Sequence, residues 1–383
     1  MKRVALLWQQ YGPYHIDRAR AVAERLAGDA EVTCLQVAPR SGIYGWDATT
    51  AIEGARLITM FPDRQAESVG RVELARAIAL TCRDHDLLVS GFMASDLPHA
   101  VAAAWLRRQG CRVAIGSDSK ADDYRRNALA EWAKQFLMRA YDAAIVAGSR
   151  SRAYYRGLGF ADDRLLPGYD TIDIARFAAF ADDAEPSAFE DRPFLFVGRL
   201  VAKKDVATLL RAFAGYAKSG QRNLVIVGTG PLEAELRDLA TELGIGERVE
   251  WRGFLDRAAI ARAMAQACAL VLPSIEEQWG LVVNEACAIG LPSVATAQVG
   301  ACDLLVRDGE SGRVVESGNT DQLARALEWV GADEARWQSL SRAARDRAPL
   351  GDVTHFADTV EALLFPDRPE PRQRLAQLES RFA

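Results

Sequence analysis

The chain has 383 residues, of which 49% are hydrophobic and 26% charged, a composition typical of a globular protein with two domains of ordinary size. Its 47 basic and 52 acidic side chains give a formal net charge of −5, which excludes a broad basic surface for nucleic acid. An anionic ligand would therefore have to be held by a few focused cations.

Short apolar runs alternate with longer helical patterns along the whole chain, which predicts the buried strands of parallel sheets covered on both faces. In the first half the predicted strands are Val4–Trp8, Glu31–Gln36, Leu87–Ser90, Arg112–Gly116 and Ala143–Ala147. In the second half they are Phe194–Gly198, Leu224–Gly228, Val249–Gly253, Leu270–Pro273 and Pro292–Ala295. The polar, acidic segment 181–192, which contains Pro186, is the predicted linker between domains at 1–180 and 193–350. The pattern predicts an α/β fold with two doubly wound domains and a crevice between them, where ligands bind beyond the carboxyl ends of strands.

The cysteines and the apolar runs bear on the compartment. None of the six cysteines belongs to a Cys-x-x-Cys pair, which is typical of a reduced chain. The apolar run Met1–Trp8 is too short for a signal peptide, and no stretch approaches the roughly 18 to 20 apolar residues of a membrane-spanning helix. We expect a cytoplasmic protein.

The strand that ends at Gly198 is followed by two cations, Arg199 and Lys204. Glycine lets the backbone approach a ligand closely, and Arg199 offers a planar fork of donors. Lys204 lies where the next helix should begin, at a helix end that favours anions. This arrangement suits a diphosphate, and the alternative is a solvated helix start with two exposed cations.

The next strand ends in Gly228-Thr-Gly230-Pro231, which opens like a dinucleotide-binding fingerprint. Glu233 stands where the third glycine would be, so a nicotinamide or flavin site is disfavoured. Because Pro231 suits the first position of a helix, a plain strand-to-helix turn remains an alternative to a ligand contact.

Two glutamates, Glu277 and Glu285, flank a predicted helix start at Gly280-Leu281. Glu277 lies on the loop before the helix and Glu285 near its second turn. Carboxylates accept hydrogen bonds strongly from the hydroxyls of a sugar or a ribose, and the amides of Gly280 and Leu281 would face phosphates. The alternative is a pair of solvated acids.

Together these segments resemble the donor half of the retaining glycosyltransferase family 4, of the type that builds bacterial polysaccharides and glycolipids. The resemblance covers roughly residues 193–330 and includes a hinge-like segment at 168–177. The matching motifs are Arg199 with Lys204, Gly228-x-Gly230-Pro231-Leu, Gly253-Phe254, Ser274-x-x-Glu277-x-Trp279-Gly280, Asn284-Glu285-Ala, Gly290-Leu-Pro292, Val299-Gly300-Ala301-x-Asp303 and Asp308-Gly-x-x-Gly312. Their combination is far more specific than any one of them.

The resemblance implies a GT-B fold and transfer of a sugar, with retention of configuration, from a UDP- or GDP-sugar to a glycan, glycolipid or small-molecule acceptor. It implies an α-linkage, front-face attack, and neither a metal nor a cofactor. Arg199 and Lys204 would neutralise the leaving diphosphate, Glu277 would hold the sugar near its 3- and 4-hydroxyls, and Glu285 would bind the ribose. It also implies that the helices of 351–383 return to the first domain. The remaining donor-binding candidates are Gly12, Gly198, Gly228, Gly230, Arg252, Gly253, Phe254, Trp279, Gly280 and Leu281.

The chain departs from the family pattern at several positions. Asp205 stands where Gly is frequent, and Gln278 where Pro is frequent. The first domain has Gln-Tyr-Gly-Pro-Tyr-His at 10–15 instead of a double-glycine loop, and Asp118 near the place where many members carry a His. His15 and Asp118 are the catalytic candidates of this domain, and the alternative for His15 is a residue of an ordinary helix start.

Two weaker signals lie in the first half. Asp84-His85-Asp86 spells the Asp-x-Asp triplet of metal-dependent glycosyltransferases, but a turn before a strand explains it better. Tyr124–Tyr141 predicts a helix with several cations and an apolar stripe at Leu129, Trp132, Phe136 and Leu137. Packing of that stripe on the sheet is the favoured interpretation, and a peripheral contact with the inner face of the membrane is the alternative.

Two other functions remain open. A nucleotide-sugar 2-epimerase shares the architecture but needs acid and base residues beside the sugar and no acceptor pocket. A regulator that binds a nucleotide sugar without turnover would keep only the donor site.

Overall fold

The computed structural model describes residues 1–42, 48–92, 96–185 and 187–381. The strands are β1 (Lys2–Trp8), β2 (Ala30–Gln36), β3 (Arg56–Thr59), β4 (Leu87–Ser90), β5 (Arg112–Ser117), β6 (Ala143–Val146), β7 (Leu165–Leu166), β8 (Phe194–Val197), β9 (Leu224–Val227), β10 (Val249–Gly253), β11 (Ala269–Leu272), β12 (Ser293–Thr296) and β13 (Gly312–Val315). The helices are α1 (Pro13–Arg25), α2 (Arg71–Cys82), α3 (Leu97–Arg108), α4 (Ala128–Met138), α5 (Ser149–Gly157), α6 (Ile174–Ala179), α7 (Val206–Tyr216), α8 (Glu233–Glu242), α9 (Arg257–Ala265), α10 (Leu281–Ile289), α11 (Thr320–Gly331), α12 (Glu334–Arg347), α13 (Val353–Leu364) and α14 (Glu370–Arg381).

The chain forms two compact α/β units, each with its own sheet. The first unit comprises Met1–Ala121, Arg125–Asp173 and the chain from Asp352 onward, and the second comprises Asp122–Tyr124 and Ile174–Gly351. The second unit thus begins at Ile174, ahead of the linker expected at 181–192, because α6 packs on α10. Pro186 lies outside the described residues.

The first sheet has seven parallel strands in the order β3-β2-β1-β4-β5-β6-β7. Its central strands are continuous apolar runs, because helices cover both faces of the sheet. The strand order reverses between β1 and β4, so the carboxyl ends of these two strands open a crevice. The helix α13 packs on α1 and on α14 within this unit.

The second sheet has six parallel strands in the order β10-β9-β8-β11-β12-β13. Its order reverses between β8 and β11, so the carboxyl ends of these strands again open a crevice. The first turn after β8 and the loop after β11 therefore face each other across that crevice. Among the described residues, no helix combines the length and the apolar character needed to cross a bilayer.

The helix α4 corrects one expectation from the sequence. We favoured packing of its apolar stripe on the sheet, but Leu129, Trp132 and Phe136 are 73%, 67% and 63% exposed. Leu137, the fourth residue of the stripe, is partly buried against the core of this unit, and Met138 is buried. The helix is fixed at its start by Asn127, whose side chain accepts hydrogen bonds from the amides of the first turn. The other three residues of the stripe therefore face solvent instead of the core.

Candidate functional site

The strand-order reversal in the second unit brings two distant segments together. Lys204 follows β8 on a single 3-10 turn, and Glu277 lies on the loop after β11. Their side chains form an ion pair, although 73 positions separate them in the chain. Ser274 donates a hydrogen bond of 3.3 Å to the same carboxylate oxygen of Glu277. The two candidates that the motifs suggested separately are therefore direct partners.

The ion pair is largely shielded from water. The side chains of Lys204 and Glu277 are only 15% and 13% exposed. Charges removed from water interact more strongly than exposed ones, and each is costly to leave without a partner. In contrast, the neighbouring Lys203 is exposed and lies 4.0 Å from Glu276. Of these two neighbouring lysines, Lys204 is thus the one whose side chain is largely buried in the crevice.

The loop that carries Glu277 is held by backbone bonds from the adjacent segment. The amide of Gly300 donates to the carbonyl of Glu277 at 3.2 Å, and the amide of Ala301 donates to that of Trp279 at 3.0 Å. The indole of Trp279 is buried, and its Nε1 donates to Asn284 Oδ1 at 2.9 Å. Trp279 therefore fixes the loop to α10, and its expected contact with the donor stays a prediction.

The helix α10 begins where the sequence predicted it. Gly280 is its N-cap residue with φ of 97°, a left-handed conformation that favours glycine, and Leu281 is its first residue. The first amides of α10 thus follow directly on the loop that carries Glu277, at the positive end of the helix dipole. Glu285, on the second turn of α10, is only 1% exposed, so its carboxylate is covered in this structure.

The two glycines after β9, Gly228 and Gly230, are required by packing of the chain on itself. Gly228 has φ of 128°, and a Cβ there would lie 1.9 Å from the carbonyl oxygen of Gly198. A Cβ on Gly230 would lie 2.3 Å from the carbonyl oxygen of Leu200. The amide of Gly228 also donates to the carbonyl of Gly253 at 2.6 Å, which joins this turn to the end of β10. These contacts explain the glycines without a ligand.

Three further candidates follow the strands of this sheet. Arg199 is exposed, and its guanidinium makes no hydrogen bond or ion pair with any residue that the structure describes. Phe254, which follows β10, is 81% exposed, a high value for an aromatic side chain. Arg252 forms an ion pair with Glu250 on the same face of β10 and lines a separate hollow of about 270 Å³. Arg199 is therefore available to an anion, whereas Arg252 is already paired.

Asp205 explains one departure from the family pattern. It has φ of 47°, and among the described residues it is the only non-glycine with positive φ. A glycine would adopt this conformation at lower cost. Asp205 offsets the cost by capping α7, since its side chain accepts a hydrogen bond from the amide of Thr208 at 3.3 Å.

In the first unit, Gly12 and His15 lie just beyond the carboxyl end of β1. Gly12 is the N-cap of α1, and its amide donates to His15 Nδ1 at 3.2 Å. The imidazole stacks on Trp8 with ring centroids 5.0 Å apart. Burial, and secondarily the charge of Arg18, holds the pKa of His15 well below its usual value. His15 is therefore neutral at physiological pH, in a fixed position at the helix start.

Sequence reasoning missed a buried cation in this part of the first unit. Arg18 is only 2% exposed, donates to the carbonyl of Tyr169, and lies 5.5 Å from the ring centre of Trp8. Asp118, at the carboxyl end of β5, is half-buried, and its charge contributes to the raised pKa of Tyr169, whose main cause is burial. The position of Arg18 inside α1 gave no signal, since cations are common on helices.

The Asp84–Asp86 triplet is tied into the sheet. Asp86 accepts hydrogen bonds from Lys2 Nζ at 2.7 Å and from the amide of Arg3 at 2.8 Å. No group of three or more metal-binding side chains occurs among the described residues. The triplet fixes the start of β4 against β1.

Comparison with known proteins points to one class of enzyme. Residues 180–347 match the family described as glycosyl transferases group 1. The chain is 37% identical over 183 residues to the D-inositol 3-phosphate glycosyltransferase of Mycobacterium marinum, covering 46% of this chain and 38% of that protein. It is 30% identical over 230 residues to the alpha-D-kanosaminyltransferase of Streptomyces kanamyceticus, covering 58% of each. The matched segments thus span well under two thirds of these relatives.

A solved structure resembles nearly the whole chain. HepE from Anabaena, in a complex with UDP, has a TM-score of 0.72 and covers 95% of this chain and 99% of its own at 18% identity. At this identity the likeness establishes the fold alone. The chain has the GT-B fold, with two Rossmann-like α/β units, as the sequence predicted.

Proposed function

We propose that this protein is a glycosyltransferase that moves a sugar from a nucleotide-diphospho sugar, UDP- or GDP-linked, to an acceptor. The observation that carries this proposal is the ion pair of Lys204 and Glu277 at the strand-order reversal of the second unit, close in sequence to the unpaired Arg199. A diphosphate needs focused cations, and a sugar needs a carboxylate that accepts from its hydroxyls. The crevice supplies both groups from two loops. The match of residues 180–347 to glycosyl transferases group 1 supports the same assignment.

The proposed mechanism assigns the leaving group to the cations. Lys204 and Arg199 bind the diphosphate and stabilise the negative charge that develops on it as the glycosidic bond breaks. Glu277 accepts hydrogen bonds from the sugar, and Glu285 binds the ribose. We propose retention of configuration by front-face attack, formation of an α-linkage, and no requirement for a metal ion. His15 and Asp118 are proposed to contact the reacting sugars from the first unit.

The acceptor is proposed to be a glycan, a glycolipid or a small molecule, and nucleic acid is not expected to bind. The relatives support this only by analogy, since one is described as acting on D-inositol 3-phosphate and another as transferring kanosamine. We place the protein in the cytoplasm at the inner face of the membrane. All six cysteines are free thiols, and five of them are buried, which suits a reducing compartment.

One experiment separates this proposal from the two other functions. Purified protein is incubated with UDP-, GDP- and ADP-sugars, with and without EDTA, and released nucleoside diphosphate and sugar products are measured. Slow donor hydrolysis that survives EDTA supports the transferase, and an isomerised donor would instead indicate an epimerase. Binding without turnover, even with a panel of acceptors, would indicate a regulator. NMR of the product anomer then tests retention.

A further inference from the structure

The solvent-facing sides of α3 and α4 form an apolar surface on the first unit, which we call the α3–α4 surface. On α4, Leu129, Trp132 and Phe136 lie at intervals of three and four residues and form one stripe. On α3, Leu97 and Val101 are 62% and 60% exposed at an interval of four residues. A group of large apolar side chains exposed side by side usually marks an interaction surface, whereas single exposed apolar residues are common.

A groove of about 630 Å³ lies between the two helices. Aliphatic and aromatic side chains line it, including Ala104 of α3 and Phe136 and Leu137 of α4. Its volume is within the range of about 300–1,000 Å³ that is typical of ligand pockets. The groove therefore has room for one apolar chain, and the exposed apolar residues beside it can contact others.

The charged side chains at this surface are mainly positive. Arg108 and Arg139 line the groove and form no ion pair with any carboxylate in the described part of the chain. The carboxylate of Asp142 is already engaged by Arg107 Nε at 2.8 Å and by the amide of Val113 at 2.8 Å.

The other two carboxylates near these helices are also engaged. Glu131 accepts from Arg126 at 3.2 Å and from the hydroxyl of Tyr154 at 2.7 Å, and Asp96 contacts His99 Nδ1 at 2.6 Å. The surface thus combines exposed aromatic and aliphatic groups with arginines that can bind an external anion.

We infer that the α3–α4 surface docks on a lipid bilayer that contains anionic lipid, with an acyl chain entering the groove. Amphipathic helices with aromatic residues on one side and arginines beside them lie in the plane of the membrane interface. A second copy of the chain fits less well, because a symmetric contact would place the unpaired arginines near each other. This inference deepens the proposed membrane location but does not depend on the identity of the donor site.

The first test is co-sedimentation of the full chain with vesicles of phosphatidylcholine alone and of phosphatidylcholine mixed with phosphatidylglycerol. We expect binding to the anionic vesicles, with a marked loss at high salt because screening weakens the contact of arginine with phosphate. Binding to neither vesicle, or equal binding to both at every salt concentration, would overturn the inference.

Variants locate the contact. Trp132→Ser and Phe136→Ser are each expected to lower vesicle affinity by about tenfold, since each removes a side chain of the size that buries most apolar area. Arg108→Gln and Arg139→Gln are expected to lower it by about fivefold each. The matched controls are Val72→Ser and Arg76→Gln, exposed residues of α2 in the same unit, which should leave binding unchanged.

A fluorescence measurement separates contact from indirect effects. Brominated lipid should quench part of the tryptophan emission, and Trp132→Phe should bind almost normally yet lose much of that quenching. Every variant should bind nucleoside diphosphate as the wild type does, so a failure of the donor site is distinguished from a failure of docking. Wild-type affinity in the α4 serine variants, or a dimer in solution that does not bind vesicles, would refute docking through this surface.

Discussion

The replacement of Lys204 by methionine tests the donor site most directly. Methionine keeps most of the apolar stem of lysine and removes the charge, so the side chain can still fill its largely buried position. A charge-assisted hydrogen bond to a diphosphate contributes about 1.5–3 kcal/mol. Part of this is offset in the free protein, because Lys204 must loosen its ion pair with Glu277 to reach the phosphates. We therefore expect a loss of about 10- to 100-fold in affinity.

The stability of the variant has to be separated from its affinity. Lys204→Met leaves the carboxylate of Glu277 largely buried, with the hydroxyl of Ser274 as its side-chain donor among the described residues. This loss is expected to cost about 1–3 kcal/mol. The double variant Lys204→Met/Glu277→Gln removes both charges, so the unpaired carboxylate disappears. We expect it to regain much of the lost thermal stability but to remain weak in nucleotide binding.

The assay is calorimetry with whichever of UDP, GDP and ADP gives the largest thermal shift. The matched control is Lys203→Met, which removes an exposed lysine one position away that lies 4.0 Å from Glu276. It should change affinity by no more than about twofold, because an exposed pair of this kind contributes little. Wild-type affinity in Lys204→Met would refute the role of this lysine, and an equal loss in both variants would show that net charge matters more than position.

Three further outcomes follow from the same geometry. Glu277→Gln should bind nucleoside diphosphate as well as the wild type or better, since it frees the lysine, yet lose about 100-fold or more in sugar transfer; equal losses in both would contradict its contact with the sugar. Gly228→Ala should lower the free energy of unfolding by more than about 2 kcal/mol in urea titrations, because its Cβ would lie 1.9 Å from the carbonyl oxygen of Gly198. The control Gly246→Ala should be almost neutral, because its Cβ would lie 3.7 Å from the nearest atom. The pKa of His15 is lower in the folded protein than in the unfolded chain, so its contribution to stability is complete above the unfolded-state pKa of about 6.5. As the pH falls from there towards the folded-state pKa, this contribution is lost by at most about 1.4 kcal/mol per pH unit. His15→Gln should flatten that decline, and an unchanged slope below pH 6.5 would show that this imidazole does not titrate as expected.

Sequence patterns predicted every central strand and missed three strands at the edges of the sheets. All ten predicted runs form strands, and those in the middle of each sheet are buried on both faces. The missed strands β3, β7 and β13 are all edge strands, whereas the fourth edge strand, β10, was predicted. An edge strand has one neighbour, so it can be short or partly exposed: β7 has two residues, and no residue of β3 is fully buried. Their sequences therefore lack the continuous apolar run by which buried strands are recognised.

The periodicity of α4 predicted an apolar stripe but not what covers it. The same spacing of Leu129, Trp132 and Phe136 suits a helix that packs on a sheet and one that faces a partner. Tertiary structure decides between them, because α2 packs beside α3 in the layer that covers the sheet and α4 has only a slight contact with α3. The distinction rests on neighbours that are distant in sequence, and a single chain carries no signal for it.

The pairing of Lys204 with Glu277 shows how the site depends on topology. Each residue was a candidate on local grounds, as a cation after one strand and a carboxylate after another. Neither motif contains the other, and their contact exists because β11 adds to β8 on the side opposite β9. In the free protein the carboxylate of Glu277 neutralises Lys204. The chain can therefore keep a largely buried lysine in the crevice while no anion is bound there. Under the proposed function, both partners would exchange this contact for one with the ligand, the lysine with phosphate and the glutamate with sugar hydroxyls. Only a ligand that offers both groups would compensate both charges, so the proposed site should favour a complete sugar nucleotide over free phosphate.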